Sequence, residues 1–190
     1  MRGYLYFAYG SNMKIEQMRS RAGIINFIPA KLHGYELAFN KQAKRNPKEG
    51  YANVMPKDGG VVEGILYELD DLTQLDKNEG VPTHYNKKIM EVVTDNGDKV
   101  KAFVYVANSG KVVDGLLPTK EYVGRLLENK LLSEDYADTI REQPVLMTET
   151  EELLESIAWF LGEFEPGKVW HEKHFEKAKR LLTKHNYGQR

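Results

Sequence analysis

Two short stretches hold residues able to do chemistry. The first is Tyr9-Gly10-Ser11-Asn12, where an apolar run over residues 4–9 gives way to a helical pattern. Glycine at such a junction lets a ligand approach the backbone closely. The amides of a turn entering a helix are free donors, backed by the positive end of the helix dipole. That cradle suits a carboxylate or a polarised carbonyl oxygen. Taken alone, the tetrapeptide reads more simply as a helix cap supplied by Ser11 or Asn12. The second stretch is Leu75-Asp76-Lys77-Asn78-Glu79-Gly80-Val81. Glu79 closes a predicted helix, where a carboxylate meets the unfavourable end of the dipole. With partial burial its pKa rises from a reference of about 4.3, which suits a general base near neutral pH. Without context, a lone glutamate there reads as a solvated surface residue.

The rest of the chain bounds what those residues could serve. Its 190 residues suit one domain with an appendage. A net charge of -1 argues against a dedicated nucleic-acid or acidic-membrane binder. With no cysteine, disulfides, thiolate metal sites and cysteine nucleophiles are excluded, and a cytoplasmic location is the expectation. The apolar run at residues 4–9 is too short for a signal peptide, and nothing approaches the length of a membrane span.

The elements that must position the two stretches follow from pattern. Residues 4–9 read as a short buried strand and 13–19 as a helix. One or two strands lie within 24–40, broken near His33-Gly34, and the basic stretch 41–50 reads as an exposed loop. Strands at 51–55 and 61–69 flank a turn at Lys57-Asp58-Gly59-Gly60. A short helix over 70–78 takes Asp70 or Asp71 as cap and turns Leu72 and Leu75 inward. Residues 89–94 and 100–106 form a hairpin, with Asn96-Gly97 suited to a type I′ turn. Pro118-Thr119-Lys120-Glu121 opens a helix to about residue 130, and Ser133 starts another. Beyond Pro144 an acidic-first helix, a break at Pro166-Gly167 and a basic helix form a tail. The class is α+β, strands first and helices later.

Five motifs in order resemble the γ-glutamylcyclotransferase-like (AIG2-like) family. They are Tyr6-Phe7-Ala8-Tyr9-Gly10-Ser11-Asn12, Gly50-Tyr51-Ala52-Asn53-Val54, Val62-Glu63-Gly64-Ile65-Leu66-Tyr67-Glu68-Leu69, Leu75-Asp76-x-x-Glu79-Gly80, and Pro118-Thr119-x-x-Tyr122, with threonine for the family's serine. The resemblance spans about residues 4–142 and rests on order and spacing, since each motif is weak alone. It implies a small mixed β-barrel with surrounding helices over 1–142, and leaves 143–190 as a C-terminal helical extension with no family role. It implies an acyltransferase or cyclising lyase that folds a small-molecule γ-glutamyl substrate onto itself and releases 5-oxoproline and an amine. No cofactor or metal is then required. Glu79 becomes the acid/base, Tyr6, Phe7, Ala8, Tyr9, Gly10, Ser11 and Asn12 form the pocket wall and cradle, and Tyr85 and Tyr122 line the pocket.

Other candidates carry less. His171 and His174 share a face of the last predicted helix but lack a third metal ligand. Lys41, Lys44, Arg45 and Lys48 read as a solvated basic loop without the interleaved aromatics of a nucleic-acid site. Trp159, Phe160, Phe164 and Trp170 read as packing residues of the tail, with a self-association surface, hence a homodimer, open. A non-catalytic small-molecule-binding or interaction protein on the same barrel is the competing expectation, and an adaptor acting through its tail a third.

Overall fold

A computed structural model describes residues 3–147 and Glu151. The chain divides into two units, Met1–Leu146 and Met147–Arg190, and the five strands found among the described residues lie in the first. The expected tail helices, the His171 and His174 pair and the tail aromatics lie outside the described residues. The strands β1 (Tyr4–Ala8), β2 (Ile24–Gln42), β3 (Gly50–Leu69), β4 (Tyr85–Thr94) and β5 (Lys99–Ala107) form a closed barrel in the order β1-β3-β2-β4-β5. Neighbours are antiparallel except β1 and β5, which close the barrel in parallel at Tyr6 and Phe103. The sheet is therefore mixed, and the fold is the expected α+β barrel. Helices α1 (Ile15–Arg19), α2 (Thr73–Glu79), α3 (Lys120–Leu127) and α4 (Glu134–Arg141) fill the connections and the region after β5. Phe7, Leu32, Ile65, Tyr67, Leu75 and Leu126 are fully buried. Each such side chain contributes roughly 1.5–3 kcal/mol by leaving water.

Several expectations change. The breaks at His33-Gly34 and Lys57-Gly60 do not end strands. β2 and β3 run through them, and the register shifts so that His33 faces Val61 while Tyr35 faces Pro56. Extra residues are absorbed as a bulge, which bends a strand without terminating it. The stretch expected as an exposed loop from residue 41 begins later, because Lys41 and Gln42 remain in β2. The hairpin between β4 and β5 is present, but its turn is not type I′. No non-glycine described residue has positive φ, and Gly97 alone in this turn adopts +85°. The Gly97 N–H donates to the Thr94 carbonyl at 2.8 Å. One left-handed glycine after an ordinary turn gives the G1-bulge form of the hairpin. Neither Asp70 nor Asp71 caps α2, whose N-cap is Leu72 without a side-chain bond. Asp71 instead accepts from the Thr73 hydroxyl at 2.9 Å. Leu72 and Leu75 are buried as expected.

Ser133 does cap α4, accepting from the Tyr136 N–H, and Thr119 caps α3, accepting from the Tyr122 N–H at 3.2 Å. Among the described residues no helix is long and apolar enough to cross a membrane.

Candidate active site

β1 ends at Ala8, and the chain then tightens into a 3-10 turn, Ser11–Met13, closed by the Met13 N–H on the Gly10 carbonyl at 2.9 Å. The capping role considered for Ser11 and Asn12 is not what their side chains do. Neither the 3-10 turn nor α1, whose N-cap is Lys14, has a side-chain cap. The turn buries Asn12 to 4% exposure and aims its amide inward. Its carbonyl is held by the Tyr67 hydroxyl, which donates at 3.0 Å.

Glu79 arrives from the opposite direction as the last residue of α2, with Gly80 in left-handed conformation terminating the helix. Asn12 Nδ2 donates to Glu79 Oε1 at 2.9 Å and to the Tyr6 hydroxyl at 2.9 Å. Asn12 Oδ1 accepts from Arg21 Nη1 at 2.7 Å and Gln17 Nε2 at 3.2 Å. Two donors on one side and two acceptors on the other leave the amide a single satisfactory orientation. Arg21 also reaches Glu79 Oε1 at 3.4 Å. The Glu79 side chain is 16% exposed. Burial lifts its carboxyl above the usual 4.5, while the Asn12 hydrogen bond and the charges of Arg21 and Lys41 offset part of that rise.

The resulting cavity has a volume of about 290 Å³. Tyr6, Tyr9, Gly10, Ser11, Asn12, Glu79, Tyr85 and Tyr122 all line it, from four separate regions of the chain. Phe7 and Ala8, expected on the same wall, do not. Both are fully buried in the barrel core, and the Phe7 ring packs at Gly64. The Tyr122 hydroxyl accepts from the Ala52 N–H at 3.2 Å and lies against the Gly10–Ser11 backbone. Burial pushes its phenol up to about 12, so it remains protonated across the neutral range. The Tyr85 hydroxyl donates to the Ala52 carbonyl at 3.0 Å, and the Tyr9 hydroxyl to the Tyr105 carbonyl.

Further lining residues are not evident in the sequence: Arg21, Lys41, Tyr51, His84, Tyr105 and Arg125 among them. Lys41 is the main correction, since it is not a solvated loop residue but 5% exposed. Its Nζ lies 5.2 Å from the Tyr51 ring centroid and 5.5 Å from that of Tyr85. In β2, Phe39 and Lys41 are two apart and so share one face of the strand, and both are buried. Behind the cavity, Asp76 accepts from the Tyr105 hydroxyl at 2.6 Å and from Lys87 Nζ at 2.7 Å. This pins α2 to β4 and β5, and with it the position of Glu79 three residues on. Among the described residues no group of three or more His, Asp or Glu is placed to hold a metal.

The arrangement presents one proton-accepting carboxylate, fixed by an amide, beside a glycine-containing turn. The family model described as "Gamma-glutamyl cyclotransferase, AIG2-like" matches residues 6–124. The γ-glutamylcyclotransferase of Homo sapiens is 31% identical over 110 residues, covering 54% of this chain and 58% of that protein. The chain thus matches little more than half the length of this curated relative. The crystal structure of an uncharacterized Homo sapiens protein superposes with a TM-score of 0.66 at 22% identity, over 94% of this chain and 99% of the other. A structure titled "Gamma-glutamyl cyclotransferase" gives 0.65 at 22% identity, over 93% and 99%. These structures share the barrel. The chain belongs to the γ-glutamyl cyclotransferase, AIG2-like family.

Proposed function

We propose that the protein is an enzyme that cyclises a γ-glutamyl group to 5-oxoproline and releases the attached amine, with Glu79 as general acid/base. The observation that carries this reading is the Glu79 carboxylate, buried, raised above its usual pKa and held at 2.9 Å by Asn12 on the cavity wall. In the proposed reaction the α-nitrogen of the glutamyl group attacks its own γ-carbonyl carbon. Glu79 accepts a proton from that nitrogen and returns one to the leaving nitrogen as the old C–N bond breaks. A carboxyl with a raised pKa suits both transfers, since it is neither too weak a base nor too strong an acid. Ring closure depends on holding the chain folded, and a confined, tyrosine-lined cavity favours that. The Gly10–Asn12 backbone is the proposed cradle for the substrate carboxylate or the oxyanion, and the Tyr122 hydroxyl ties that backbone to Ala52. As proposed, the chemistry runs without a metal, because proton transfer and positioning are both assigned to side chains and backbone.

The test is product identity. A panel of γ-glutamyl amino acids, γ-glutamyl amines and ε-(γ-glutamyl)lysine is incubated with the wild type and analysed by mass spectrometry. 5-Oxoproline formed in equal amount with the free amine is the expected result. Free glutamate in place of 5-oxoproline would mean hydrolysis and would remove the cyclisation.

A further inference from the structure

The cavity has two electrostatically distinct walls. On one, Glu79, Asn12 and Arg21 satisfy one another. On the other stands Lys41, 5% exposed, with no carboxylate among the described residues within pairing distance. The Tyr51 and Tyr85 ring faces approach its Nζ, at 5.2 and 5.5 Å. An ammonium taken out of water is ordinarily paired, and ring faces offset only part of its desolvation. The neighbours add to the imbalance. Arg125, stacked 5.4 Å from the Tyr122 ring centroid, lines the same cavity. Lys44 and Lys111 act on His84, which also lines the cavity and whose buried Nδ1 has no partner among the described residues. Of the acidic residues, Glu79 acts on Lys41 from beyond ion-pair distance, and Glu49 acts on Tyr51. A γ-glutamyl substrate brings at least one carboxylate that the reaction leaves unchanged. The Lys41 ammonium, which feels Glu79 but forms no ion pair with any described carboxylate, is placed to receive it.

We propose that Lys41 is a substrate-positioning residue that pairs with a carboxylate of the bound γ-glutamyl compound. This rests on the cyclotransferase reading. The carboxylate is either the glutamyl group's own or one carried by the leaving amine, and three substrates separate these sources. γ-Glutamylalanine has both, γ-glutamylalaninamide lacks the second, and 4-aminobutanoylalanine, which would close to pyrrolidinone, lacks the first.

For Lys41→Met acting on γ-glutamylalanine at a pH above the Glu79 acid limb, which loss of the Lys41 charge also raises, KM is expected to rise about 10- to 100-fold, as for a lost charge-assisted hydrogen bond, with kcat nearly unchanged. Lys41→Arg should recover part of the loss. A defect that persists with γ-glutamylalaninamide and vanishes with 4-aminobutanoylalanine assigns the glutamyl carboxylate, and the converse assigns the leaving amine's. The melting temperature of Lys41→Met should equal or exceed the wild type, since a buried unpaired charge is removed. Should it fall, Lys41→Arg with the three substrates is the deciding comparison. Equal loss on all three substrates, or none on any, overturns the proposal. Should the wild type turn over no panel member, the cyclotransferase reading fails by itself. Calorimetric titration of γ-glutamylalanine then decides: weaker binding by Lys41→Met supports the anchor, and equal or absent binding in both proteins overturns it.

Discussion

Asn12 and Glu79 act as a pair, and each has a separate consequence. Asn12→Ala removes the donor to Glu79 and leaves Tyr6 and Arg21 without their shared partner. kcat/KM should drop about 10- to 100-fold, the worth of a hydrogen bond to a charged group, measured by 5-oxoproline formation. The pH dependence follows from the direction of the Glu79 shift. As the proposed general base, Glu79 acts when deprotonated, so activity should be lost as pH falls through its pKa. Burial places that acid limb above the usual 4.5. Arg21 lowers the Glu79 pKa, so Arg21→Met should move the limb to still higher pH. A kcat/KM profile with its limb unmoved by that substitution would separate the limb from Glu79. At this scale the sequence was partly legible. Glycine and a helix end beside Glu79 and the Tyr9–Asn12 tetrapeptide marked them as candidates, and the resemblance of their motifs to the family gave them their roles. Arg21 did not, since nothing in its neighbourhood shows that the chain doubles back to place it against Asn12. Lys41 looks solvated in sequence because it opens a basic run, and the strand that continues through it is not visible there.

At the scale of elements, two residues of one motif explain themselves through packing. A Cβ on Gly64 would lie 2.2 Å from the Ala8 carbonyl oxygen and 2.8 Å from the Phe7 ring. β1 can therefore lie against β3 only over a glycine. Gly64→Ala should destabilise by roughly 1–3 kcal/mol or more, as overpacking does, read as a lower denaturation midpoint. The preceding Glu63 reaches across to α4, accepting from the Ser133 N–H at 2.8 Å, the Ser133 hydroxyl at 3.0 Å and Lys31 at 2.9 Å. Burial alone would raise its carboxyl, but the Ser133 and Lys31 hydrogen bonds bring it below the usual 4.5. A lowered folded pKa stabilises above the unfolded value, and that stability is lost as pH falls through the folded one. Glu63→Gln should flatten the acid side of the stability–pH curve, and Ser133→Ala should cost about 1 kcal/mol as a lost cap. The cap itself was readable from Ser133 and the two acids after it. Its anchoring by Glu63 was not, because 70 residues separate the partners.

Over the whole molecule the barrel is unevenly sewn. β2 and β3 pair along most of their length, whereas β1 meets β5 at one residue pair and β2 meets β4 at two. The hairpin β4–β5 is thus joined to the rest by short seams, and side chains cross them: Tyr9 to the Tyr105 carbonyl, Tyr85 to the Ala52 carbonyl, and the Ala107 N–H to Asn53 Oδ1 at 2.9 Å. The cavity lies where these staples gather, so closing the barrel also assembles the site. Tyr85→Phe removes one staple, the hydrogen bond to the Ala52 carbonyl. A loss of about 1 kcal/mol lowers Tm by a few degrees in a chain of this size, with faster amide exchange in β4 as the local sign. The apolar runs alone made only the α+β class legible; the barrel was legible through the resemblance of five motifs in order. Which strand ends meet was not, since closure depends on register shifts, two of which, at Ile24/Asn26 and Ala38/Lys41, leave no glycine in β2 to mark them.

Glu79 is the group to which the proposed proton transfers are assigned. The most direct measurement compares the wild type with Glu79→Gln on one γ-glutamyl substrate, following 5-oxoproline by mass spectrometry and substrate binding by calorimetry. Glutamine keeps the shape and can still face Asn12, but cannot carry a proton between the two nitrogens. 5-Oxoproline formation should fall by about 10²- to 10⁴-fold with binding largely kept. The raised Glu79 pKa stabilises the fold only at low pH, and that contribution is lost as pH rises through it. The variant should therefore melt no lower than the wild type at neutral pH. A Glu79→Gln protein that forms 5-oxoproline at the wild-type rate would contradict the assignment.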